Sequence, residues 1–250
     1  MKKILVAILL VLAPCVVMAS GSKFKLEDAN IDLSDKASLQ RGAKYFVNYC
    51  MGCHSLSYQR YNIMGRDLDL TKEELQNNLI FTRSAEGEST KVGALMETAM
   101  TPAYAEKVFG IVPMNLSVVA RSRSPDWLYT YLKSFYVNDA GKVDNPLLPG
   151  VSMPHVLWEL QGWQKAITHT QKDAEGNEHI TISSLEMVTP GQLSATEYDA
   201  VVRDLTNFLT YTADPRRAER HATGIWVLLF LVVFTAMAYA LKKEYWRDIS

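Results

Sequence analysis

The chain has 250 residues, 48% hydrophobic and 21% charged, with 26 Lys+Arg against 27 Asp+Glu. That length and balance allow one or two cored domains and exclude disordered and collagen-like chains. No repeat of fixed period is visible, and a formal net charge of −1 offers no general attraction to nucleic acid.

The chain opens on MKKILVAILLVLAPCVVMAS, in which Lys2 and Lys3 precede an apolar run too short to span a bilayer comfortably. The run closes on Val17-Met18-Ala19, which reads as a secretory leader (1–19) cut before Ser20. Pro14 directly before Cys15 argues against a lipobox. With the leader gone, Cys50 and Cys53 are the only cysteines left, in a compartment where disulfides can form.

SLQRGAKYFVNYCMGCH predicts an amphipathic helix, with Ser38 as its N-cap and Leu39, Ala43, Phe46, Val47 and Cys50 on one face. It ends in C-x-x-C-H. Structural zinc wants four ligands, and no second cysteine pair exists to complete the set. A thioredoxin-like pair expects a βαβ setting that residues 40–80 do not offer. The remaining reading uses every residue of the motif. Cys50 and Cys53 add to the vinyl groups of one haem as thioethers, and His54 ligates its iron.

A sixth ligand is expected from a stiff segment downstream. SPDWLYTYLKSF comes first, a helix capped by Ser124 with Pro125 at its first position. NPLLPGVSMPH follows, where Pro146, Pro149 and Pro154 restrict the backbone around Met153 and Gly150 permits a turn. Met153 is the leading candidate, because a neutral thioether suits a high-potential carrier. Met100, Met114, Met187 and His155 stay as alternatives. Met51 lies inside the attachment loop, Met64 and Met96 fall in polar stretches, and His221 abuts the membrane segment described below.

AITHTQKDAEGNEHITISSL alternates apolar and polar residues on both sides of Glu175-Gly176-Asn177, which predicts a β-hairpin with His169 and His179 exposed on it. SATEYDAVVRDLTNFLTY is the clearest helix. Ser194 and Glu197 form a capping box, and Tyr198, Val201, Val202, Leu205, Phe208 and Leu209 line one face. Residues 222–241, ATGIWVLLFLVVFTAMAYAL, carry no charge and cover roughly 30 Å as a helix, the thickness of a hydrocarbon core. Basic residues flank this segment on both sides, so orientation rests on the leader. It places residues 20–215 outside the cytoplasm and 242–250 inside. The exported part holds 18 Lys+Arg against 24 Asp+Glu, a net −6 that serves either solubility or the steering of a basic partner.

In this order the elements resemble the cytochrome c1 family, the haem subunits of the cytochrome bc1 complex. Beyond the haem motif the resemblance is carried by PMNLSVVARSR (113–123), NPLLPGVSMP (145–154) and DLTNFLTYTADP (204–215). It implies a mainly α, cytochrome c-type haem domain with a small β-hairpin and one C-terminal transmembrane helix. One covalent haem c would be held by Cys50 and Cys53, with His54 and Met153 as axial ligands and Arg123 near a propionate. The implied function is electron transfer from a Rieske iron–sulfur protein to a cytochrome c acceptor, beside a cytochrome b subunit, from the periplasmic face of a bacterial inner membrane. Two departures stand out. Met114-Asn115 stands where family members often have an aspartate, and the segment after Met153 is longer than in many relatives, which keeps Met187 as the alternative ligand. Other function classes are a tethered mono-haem cytochrome c serving an oxidase or dehydrogenase outside such a complex, a haem sensor with a weak sixth ligand, and a thiol oxidoreductase.

Overall fold

The computed structural model describes residues 24–83, 86–172 and 178–248. The leader reading, with Lys2, Lys3 and Cys15, lies outside the described residues, as does the hairpin turn at 175–177.

In chain order the elements used below are α1 (Lys36–Tyr45), β1 (Leu56–Arg60), α2 (Tyr61–Asp67), α3 (Lys72–Asn78), β2 (Leu95–Met96), α4 (Pro102–Phe109), α5 (Val119–Arg123) and α6 (Pro125–Lys133). After them come β3 (Tyr136–Val137), β4 (Val143–Asp144), α7 (Trp158–Gln161), β5 (Gly162–Lys172), β6 (Glu178–Pro190), α8 (Ala195–Ala213) and α9 (Arg217–Tyr245). The strands pair as three separate two-stranded antiparallel sheets, β1 with β2, β3 with β4 and β5 with β6.

The core is built on α8. Its capping box is present, with Ser194 accepting from the Glu197 N–H and the Glu197 carboxylate accepting from the Ser194 N–H. All six apolar residues of its predicted face are buried. Against it lies α1, and the two backbones approach so closely at Gly42 that a Cβ there would sit 2.1 Å from the Asp204 carbonyl oxygen. A polar knot fixes the crossing. Ser38 donates to Asp204 at 2.6 Å, Asn207 donates to Ser38 at 2.7 Å, and Arg41 grips the same carboxylate with two bonds. Phe46 packs on Phe208, with ring centroids 5.8 Å apart.

Ser38 therefore does not cap the first helix. Asp35 caps it, accepting from the Ser38 N–H, while the Ser38 hydroxyl is spent on the buried knot. The Asp35 carboxylate, three residues upstream of Ser38, outcompetes the serine for the cap. After Tyr45 the helix widens into a π turn over Phe46–Cys50. Leu39, Ala43, Phe46, Val47 and Cys50 are all buried, as the apolar spacing predicts.

The hairpin is longer than its alternating pattern suggested, running from Gly162 paired with Pro190 out to Lys172 paired with Glu178. His169 on it is exposed. At the far end, α9 continues the chain after Asp214-Pro215, and residues 219–245 form one unburied helix whose most apolar 18-residue stretch has a mean hydropathy of 2.3. It extends the expected span of 222–241 at both ends.

Candidate haem site

The π turn delivers Cys50 with its side chain buried, and the chain then turns so that the His54 N–H bonds the Cys50 carbonyl at 2.9 Å. Both thiols are free. Burial, and secondarily the neighbouring Cys53, pushes the Cys50 thiol up to about 12. Among the described residues no three His, Cys, Asp or Glu side chains converge to hold a bare metal ion.

His54 Nδ1 lies 2.7 Å from the Met114 carbonyl oxygen. A carbonyl only accepts, so Nδ1 carries the proton and Nε2 keeps its lone pair. Nε2 has no protein partner among the described residues. Burial also holds the imidazole pKa below its usual value, against the opposing pull of the Met114 bond. Both effects favour a neutral ring oriented as a ligand. Met114 is held by two strips of chain lying side by side: Leu116 N–H bonds the Ser55 carbonyl, Asn115 donates to the Ser57 hydroxyl, and Ser117 accepts from the Tyr58 N–H. From a third direction Thr98 donates to the Gly52 carbonyl and its own N–H reaches Ser55.

PMNLSVVARSR thus starts at the acceptor of His54 and ends, through α5, at Arg123. There Ser124 takes a φ of 85°, a region that costs a non-glycine residue about 1–3 kcal/mol. At this bend the Arg123 guanidinium lies over the Trp127 ring, 5.2 Å from its centroid. Ser124 also caps α6, as expected, by accepting from the Trp127 N–H. On α6 the rings of Trp127 and Tyr131 stack at 4.7 Å, and the Tyr131 hydroxyl points to the Met153 sulfur at 3.6 Å. Tyr131 holds the methionine loop at a second point, because its carbonyl accepts from the buried Asn145 side chain at 2.8 Å. The Asn145 side-chain Oδ1 then accepts from the Leu147 N–H, and Gly150, at φ 75°, turns the loop and donates its N–H to Asp144. Met153 itself is half-buried against the core.

The alternatives fall elsewhere. Met187 sits on β6 opposite Gln164, 45% exposed. The Met114 carbonyl is committed to His54 Nδ1. Met100 is on the loop that contacts Gly52 through Thr98. Met51, Met64 and Met96 are core, with Met51 accepting from the Tyr61 hydroxyl. His155 stacks on Phe135 with its Nε2 unpartnered, and burial pushes it down to about 4.

Two groups of side chains therefore emerge, Cys50-Cys53-His54 with the Met114 carbonyl and Arg123-Trp127-Tyr131-Met153, joined by residues 113–123. Spacing and composition missed the Met114 carbonyl, Trp127, Tyr131 and Asn145. Only the Trp127/Tyr131 pair, four apart on a helix, left a signal that could have been followed. The donor set fits haem: two free thiols, an imidazole with one nitrogen spoken for, and a neutral thioether. Exposed Val108, Ile111, Val112 and Val118 in the adjoining segment are apolar surface of the kind a porphyrin covers.

A mainly helical domain carrying this motif, tethered by one apolar helix, defines a membrane-anchored c-type cytochrome fold. The Cytochrome C1 family model matches residues 27–249, and the chain belongs to that family. It is 51% identical to the cytochrome c1 of Allochromatium vinosum over the full length of both. It is 44% identical to a protein of Nitrosomonas europaea named as an ammonia monooxygenase gamma subunit, over 99% of this chain and 98% of that one. Rhodospirillum rubrum cytochrome c1 is 26% identical over 86% of this chain and 83% of its own.

Proposed function

We propose that the chain is the electron-transfer haem subunit of a quinol–cytochrome c oxidoreductase. It takes single electrons from a Rieske iron–sulfur protein and hands them to a cytochrome c, with cytochrome b beside it in the membrane. The reading is carried by one observation, the free Cys50/Cys53 pair followed by His54 with Nδ1 committed to the Met114 carbonyl.

When bound, a haem supplies a reversible one-electron iron couple. The chain does the rest. Cys50 and Cys53 would hold the haem as thioethers, since an S–H group can add to a vinyl double bond with no leaving group and no oxidant. His54 offers Nε2, while its Nδ1–H donates to the Met114 carbonyl and fixes the ring's orientation. Met153 offers a thioether whose position Tyr131 sets, and Arg123, steadied on Trp127, supplies positive charge for a propionate. With His54 and Met153 both supplied by the chain, neither ligand would need to be exchanged when an electron moves, so little would rearrange. The domain at 20–215 stands on the periplasmic side of a bacterial inner membrane, and α9 keeps it within reach of its partners.

One similarity favours a second reading. The Nitrosomonas relative is named for a monooxygenase, and the same haem module tethered outside a bc1 complex would serve a different enzyme directly. The test is a reduced-minus-oxidised spectrum of the complex purified through this chain, with every subunit identified. Haem b and haem c signals with cytochrome b and a Rieske protein support the proposal. A single haem c with neither partner supports the second reading.

A further inference from the structure

A second site lies at the foot of the domain, away from the haem residues. A cavity of about 300 Å³ opens where α5 and the start of α6 meet the end of α8 and the first turn of α9, lined by Arg121, Arg217, Arg220, His221 and Asp214 among others. Its charge is unbalanced. Arg220 pairs with Asp214 at 2.6 Å, whereas Arg121 and Arg217 have no ion-pair partner among the described residues. The other nearby carboxylate, Glu219, does not line the cavity. No side chain caps the first turn of α9, so its positive end faces the same region. Trp226 follows five residues after His221, about 7.5 Å further along the helix, and is exposed near the start of the apolar stretch, as interfacial aromatics are.

Guanidinium groups are built to take two phosphate oxygens at once, and a basic cavity at the water end of a span meets lipid phosphates at that depth. We propose that this cavity binds the phosphate of an anionic phospholipid from the leaflet on the haem-domain side. Arg121 and Arg217 are its principal ligands, and Arg220 is positioned by Asp214. The bound lipid fixes the domain's tilt over the bilayer, because Arg121 belongs to the domain and Arg217 to the anchor. The inference rests on reading α9 as the membrane anchor.

The test uses the full haem-loaded chain in nanodiscs of phosphatidylglycerol mixed with phosphatidylcholine. Lipids retained on extraction are counted by native mass spectrometry. Wild type is expected to retain one phosphatidylglycerol selectively. Arg121→Gln with Arg217→Gln should cut that selectivity roughly thirty-fold, while Lys242→Gln with Lys243→Gln, at the opposite end of the span, should leave it intact. An unchanged haem spectrum shows that the variants fold. Equal selectivity in the arginine variant overturns the site. Displacement of the lipid by millimolar inorganic phosphate overturns the lipid as its source. If the wild type fails to float with liposomes, the anchor reading falls and the site with it; if it floats but selects no lipid, the site alone falls.

Discussion

Tyr131 touches the methionine loop twice, through its hydroxyl at Met153 and its carbonyl at Asn145. These two contacts predict different consequences. Tyr131→Phe keeps the Trp127 stack and loses only the donor to sulfur. Haem should stay attached, and the reduction potential should fall as the thioether becomes a better donor to the oxidised iron; redox titration reads this. Asn145→Ala strands a buried carbonyl and frees the Leu147 N–H, so it should lower unfolding stability by about 2 kcal/mol, measured by denaturant unfolding. Met153→Leu should leave haem attached, lower the potential and let the reduced protein bind carbon monoxide. If its spectrum and potential match wild type, Met187→Leu and His155→Leu become the variants to examine.

At the scale of elements, the α1–α8 crossing is the most tightly built part of the fold. Gly42→Ala would push a methyl into the Asp204 carbonyl and the Phe208 side chain, and the overpacking should cost about 3 kcal/mol, seen as a lower thermal midpoint. The capping box of α8 carries its own pH dependence. Hydrogen bonds from Ser194 hold the Glu197 carboxyl below its ordinary value. Its contribution is therefore complete above the unfolded carboxyl range and is lost as pH falls through the lower folded value. The stability gap between wild type and Glu197→Gln should accordingly shrink on acidification below about pH 4, which paired melts would show. This helix was plain in the sequence because its capping signature and its apolar face agree along its length. The first helix was legible only in part. Asp35 and Ser38 both suit a cap, and the choice depends on Asp204, more than 160 residues away. The short α2, α3 and α4 gave no usable periodicity, and the site behind the motif was half hidden for a related reason. A backbone carbonyl such as that of Met114 works the same whatever side chain it bears, so no residue type announces it.

For the whole molecule, the division of labour is between a cored domain and an anchor whose residues 225–248 stand exposed. A chain ended after Pro215 should therefore keep its haem spectrum and thermal midpoint while moving from the membrane to the soluble fraction, and should donate electrons more slowly to a membrane-bound partner. Everything at this scale presupposes that the cofactor is bonded to Cys50 and Cys53. The most direct measurement is acid-acetone extraction of the purified chain, followed by a haem stain after denaturing electrophoresis. The account predicts that colour and stain remain with the polypeptide and disappear from Cys50→Ala with Cys53→Ala. Pigment released into the acetone phase by the wild-type chain would contradict it.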